Sequence, residues 1–106
     1  MIGLGIWECD IDTLFWQGVA RMRIYDDNGA YGFEFAVPGE QLPEIRVYDV
    51  ETAEPGTLTA HATSDAIHGR ETSVRFDFDG DTFTGWLKVP FMGKIRFENG
   101  RRIEKL

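Results

Sequence analysis

Two histidines, one cysteine, three tyrosines and a short run of alternating aspartates are the side chains here that could do chemistry. His68 lies between Ile67 and Gly69 in an apolar connection, where an imidazole could act as acid, base or ligand-orienting donor. An ordinary loop residue is the plainer reading. His61 falls mid-strand on the face opposite Leu58, Ala60 and Ala62, which reads as a sheet-face residue. Asp77, Asp79 and Asp81 alternate like the start of a calcium loop, yet the glutamate expected at its twelfth position is missing. A β-turn with solvated acids explains them better. Cys9 has no partner for a disulfide and no basic neighbour to lower its pKa, so it reads as a small buried hydrophobe. Tyr25, Tyr31 and Tyr48 each fall in a strand, where tyrosine is favoured anyway. There is no His-x-His, His-Glu-x-x-His, Cys-x-x-Cys, Gly-x-Ser-x-Gly, phosphate loop or dinucleotide fingerprint. These residues name no catalytic group, and neither a metal nor a cofactor is expected.

Composition narrows the classes further. A chain of 106 residues can bury a modest core as one domain, 1–106, without disulfides or metals. Its net charge of -7 argues against nucleic-acid partners, which need clustered Lys and Arg, and against anionic membrane surfaces. No apolar run approaches the roughly 20 residues that span a bilayer as a helix. The first strand begins almost at once, with no room for a secretory leader, so the expected location is cytoplasmic.

The elements that must position these residues are strands, because nearly every segment alternates with period two. The pattern predicts strands at about residues 4–12, 18–26, 30–37, 44–50, 57–63, 70–78, 82–89 and 93–98, with a short last one over 101–105. Their connections alternate in kind. Asp26-Asp27-Asn28-Gly29, residues 51–56, Asp79-Gly80-Asp81 and Glu98-Asn99-Gly100 are tight and acidic. Asn28-Gly29 and Asn99-Gly100 carry the hairpin signature of two residues at positive φ. The connections between them are apolar and tipped by glycine. Such alternation predicts an up-and-down meander with one charged end and one apolar end.

One face of each strand is apolar and the other charged, so the sheet must close or stack. The fold class expected is all-β, a single antiparallel up-and-down barrel of about eight strands, closed by pairing of the first and last main strands. Closure removes edges that would otherwise template aggregation. The inward positions carry many Phe, Ile, Leu and Met side chains, which predicts a filled interior. Outward Asp10 and Asp12 are expected to pair with Arg21 and Arg23.

The apolar end is the candidate site. Leu14, Phe15 and Trp16 in one loop and Phe91 and Met92 in another would be neighbours once the ring closes. With Pro38, Ile67 and His68 they would form a rim of the size that marks a contact site. A small apolar ligand at the open end of the barrel is one occupant. A protein partner, in particular a second copy in a homodimer, is another. A third reading makes the chain a small barrel enzyme using His68.

Gly5-Ile6-Trp7 at the start and Arg101-Arg102 at the end resemble the lipocalin-like (calycin) pattern. The resemblance implies that Trp7 plugs the closed end of the barrel and that Arg101 or Arg102 stacks on its ring. Asp12-Thr13, the run Gly80-Asp81-Thr82-Phe83-Thr84-Gly85 and Met92-Gly93 are also similar to a group of small uncharacterised bacterial β domains. That second likeness implies a fold and no activity.

Overall fold

The computed structural model describes residues 1–13, 16–91 and 93–106. They form β1 (Gly5–Asp12), β2 (Gln17–Asp27), β3 (Ala30–Ala36), β4 (Ile45–Glu54), β5 (Thr57–Ser64), β6 (Thr72–Asp79), β7 (Thr82–Val89) and β8 (Gly93–Glu104). A single 3-10 turn, Asp65–Ile67, precedes β6. All eight strands belong to one antiparallel sheet that curls into a nearly closed barrel. Among the described residues no helix is long and apolar enough to cross a membrane.

The alternating pattern places the faces as expected. Met22 and Ile24 on β2, Leu58, Ala60 and Ala62 on β5, Val74 and Phe76 on β6 and Phe83 on β7 are all buried, while the residues between them face outward. The tight turns at Asn28-Gly29, Pro55-Gly56 and Gly80-Asp81 share one end with both termini. The longer connections share the other.

Three expectations are corrected. Asn99-Gly100 is not a hairpin turn, because β8 runs straight through it to Glu104. Asn99 instead adopts φ 53° within a β-bulge, at the point where the registers of β8 with β1 and with β7 both slip. The residue pair that makes a tight hairpin therefore makes a bulge when strands flank it on both sides. Residues 51–54 extend β4 rather than form a turn, the strand being bent by Asp49 at φ 54°. The third correction concerns ion pairs. Glu8, not Asp10, lies opposite Arg21, and the two form a salt bridge, while Arg23 pairs with Glu34 on β3 at 2.6 Å. Asp10 reaches Arg101 and Asn99 instead, and Asp12 accepts from Gln17.

The ring closes where β1 pairs with β8, but it is not closed everywhere. The strand order is β3-β2-β1-β8-β7-β6-β5-β4, so β3 and β4 are the two edges and face each other without a ladder. Their connection explains the gap. It spans residues 37–44 and holds Pro38 and Pro43, neither of which can donate to a ladder. Within it Val37 and Glu40 form an isolated bridge.

Candidate functional site

Aromatic residues are not spread evenly around the barrel interior. Trp7 lies 5.0 Å from Phe78 and 5.4 Å from Phe83, ring centre to ring centre, and Phe76 stacks on Phe97 at 5.4 Å. These rings gather toward the tight-turn end and fill it. Elsewhere the interior is faced by short side chains, including Cys9, Ala20, Val47, Ala62 and Val74, together with the rings of Phe33 and Phe35. They leave a chamber of about 290 Å³, so the interior is hollow there rather than filled. Met22, Phe33, Phe76 and Leu87 line it as well. Counting Phe, Ile, Leu and Met along the strands could not reveal this, because it depends on which inward residues stand side by side.

Trp7 forms the floor of the chamber. Its side chain is 0% exposed, and its indole Nε1 donates to the Gly3 carbonyl at 2.9 Å. Arg102 lies over the indole with its guanidinium carbon 4.6 Å from the ring centre. The same guanidinium donates to the carbonyls of Leu4 and Gly80, and Nε sits 3.1 Å from an Asp81 oxygen in ion-pair rather than hydrogen-bond geometry. Arg101 points the other way, to Glu8, Asp10 and the Asn99 carbonyl on the outer face. Neighbouring residues of a strand face opposite sides, so only one arginine of the pair can reach Trp7.

A second cavity, of about 470 Å³, lies along the β3–β4 gap and is lined by Phe33–Ala36 and Glu40–Ile45. Phe33, Phe35, Ala36, Leu42 and Ile45 line both spaces, so the cleft lies against the chamber. The cleft is lateral, between two strand edges that present main-chain N–H and C=O groups. Its three ionisable side chains are Glu34, Glu40 and Glu44.

The described residues expected at the rim stand in the longer connections between strands. Leu14, Phe15 and Met92 lie outside the described residues. Of the rest, Trp16, Pro38, Ile67, His68 and Phe91 line neither cavity. Trp16 covers Gly18 and donates from its indole to Glu40 at 3.1 Å, tying the β1–β2 loop to the β3–β4 connection. Phe91 is 82% exposed at φ 74°, with the Arg70 guanidinium stacked 4.2 Å from its ring centre. His68 is exposed at φ 56°. Glu40, Gln41, Leu42, Pro43 and Glu44, which line the cleft, are not among the residues expected from the sequence. The only sequence signal for them was the length and proline content of the 37–44 connection.

Two other groups of polar side chains have local explanations. On the outer face, His61 stands between Asp49 (3.3 Å) and Glu71 (3.6 Å), and Tyr48 donates to Glu71 at 2.7 Å. That hydrogen bond holds the Tyr48 phenol above its ordinary pKa. Asp77 is held below the usual carboxylate range by hydrogen bonds from Arg75 and Thr57, which accounts for it without a calcium ion. Inside the chamber Cys9 is only 6% exposed, and burial pushes its thiol up to about 11. A neutral thiol is a poor nucleophile, so Cys9 contributes an apolar wall.

No family model matches the chain, and no curated protein or solved structure gives a significant match.

Proposed function

We propose that this protein is a lipocalin-like binding barrel that takes a small apolar ligand into its interior. The observation that carries the reading is the chamber itself, about 290 Å³ with an almost wholly apolar lining and an open cleft beside it. An apolar cavity of about 150 Å³ stays dry and holds a benzene ring, so this one suits a ligand of roughly ten to fifteen non-hydrogen atoms. A dry cavity also costs stability unless something fills it. The Trp7–Arg102 stack at the opposite end supports the lipocalin-like reading. His68 faces solvent away from both cavities, and no reaction is proposed for it.

Phenylbutanol, with an aromatic ring and a short chain, is a suitable probe. Calorimetric titration is expected to give saturable one-to-one binding. Ala62→Leu places three more carbons at the chamber wall. It is expected to abolish that binding while raising stability by about 0.5–2 kcal/mol, as cavity filling usually does. Equal binding by both proteins would mean that the chamber is not the site.

One observation favours a second reading, a protein contact at the loop end. Phe91 is large, bare to solvent and held at a φ that bulky residues avoid. If a second copy covers it, wild type sediments as a dimer and Phe91→Asp as a monomer. A monomeric wild type removes this reading.

A further inference from the structure

We propose that the ligand is an amphiphile with a positively charged head, its apolar body filling the chamber and its head seated in the β3–β4 cleft. This rests on the ligand reading above and adds the chemical class. Two adjoining spaces of different character make up the site. The inner one is walled by apolar side chains and ends on the Trp7 floor, so it offers a ligand burial and no side-chain counter-charge at its base. The outer one is reached between strand edges, and it is there that a polar group on the ligand could keep its hydrogen bonds.

The lining of the outer space decides the sign of that group. Among its described residues it has Glu34, Glu40, Gln41 and Glu44 and neither Lys, Arg nor His. Glu34 is neutralised by Arg23 at 2.6 Å. Glu40 accepts a hydrogen bond from Trp16, which leaves its charge uncompensated, and neither Glu40 nor Glu44 forms a salt bridge among the described residues. An anionic head would meet these carboxylates with no cation to offset them, whereas an ammonium would meet two acceptors of opposite charge. The half-buried rings of Phe33 and Phe35 line both spaces. The chain's net charge of -7 adds a long-range field of the same sign.

Three probes with one apolar body test this: phenylbutylamine, phenylbutanol and phenylbutanoate, titrated calorimetrically at neutral pH and low salt. The ammonium is expected to bind roughly tenfold more tightly than the carboxylate, with the alcohol between them, and the spread should shrink as salt is added. In the double variant Glu40→Gln, Glu44→Gln the three affinities should converge while that of phenylbutanol stays as in wild type, which shows that the chamber is intact. Phenylbutanol binding with no preference for the ammonium overturns the charged-head inference and leaves the ligand reading standing. A preference that survives the double substitution also overturns it, because the head would then lie elsewhere. If none of the three binds, the ligand reading fails and this inference with it.

Discussion

Trp7→Ala is expected to lower the unfolding free energy by roughly 3–5 kcal/mol, the cost of removing a large buried aromatic side chain. The effect should sit near the top of that range for three structural reasons. The indole is 0% exposed and packs on Phe78 and Phe83, so truncation opens a void inside the aromatic cluster. The Gly3 carbonyl loses its donor in a part-buried setting. Arg102 loses the ring face beneath its guanidinium. Against the roughly 5–15 kcal/mol that stabilises a domain of this size, one substitution would remove much of the margin. Trp7→Phe separates the contributions, since it keeps a ring at the floor and loses the Nε1 hydrogen bond, and about 1–2 kcal/mol is expected for it. Urea unfolding followed by circular dichroism measures both. A loss below about 1 kcal/mol for Trp7→Ala would show that the aromatic cluster does not hold this end of the barrel together.

Gly85→Ala is the second large effect, and it acts through the backbone. A Cβ at this position would lie 2.0 Å from the Arg75 carbonyl oxygen, 3.0 Å from its carbon and 3.2 Å from the Phe76 Cα. None of these atoms can swing aside as a side chain could. The β6–β7 ladder would have to part where Phe76 faces Gly85, next to the β8 bulge that already disturbs β7 from its other side. Overpacking costs about 1–3 kcal/mol where side chains can adjust, and a clash with main chain belongs at or beyond the upper end. Gly39→Ala supplies the scale. Gly39 has φ +83° but nothing within 4 Å of its missing Cβ, so only conformational strain of about 1 kcal/mol is expected there. Thermal unfolding should rank Gly85→Ala well below Gly39→Ala, and the reverse order would contradict the close approach of the two strands.

The inward position of Gly85 was legible in its strand, since period two puts it on the same face as Phe83 and Leu87. How near Arg75 comes was not, because that distance belongs to the partner strand and its coil. The same division runs through the candidate site. Trp7 and one terminal arginine were identified together through a resemblance, yet which arginine stacks depends on the β8 bulge that sets where Arg101 and Arg102 point. The loop residues were picked for being apolar and unexplained. Those that are described line neither the chamber nor the cleft.

By itself, the sequence determined the all-β class, the strands to within a few residues, the apolar face of each and the two kinds of end. All of these follow from period two and turn chemistry, which act between residues close along the chain. Only the tertiary structure decided that the ring parts between β3 and β4, that Trp7 packs on Phe78 and Phe83, and that a chamber of about 290 Å³ remains inside the barrel. Closure, crowding and emptiness are set by which side chains meet across strands far apart in sequence. A pattern of alternation carries inward and outward, but not who stands beside whom.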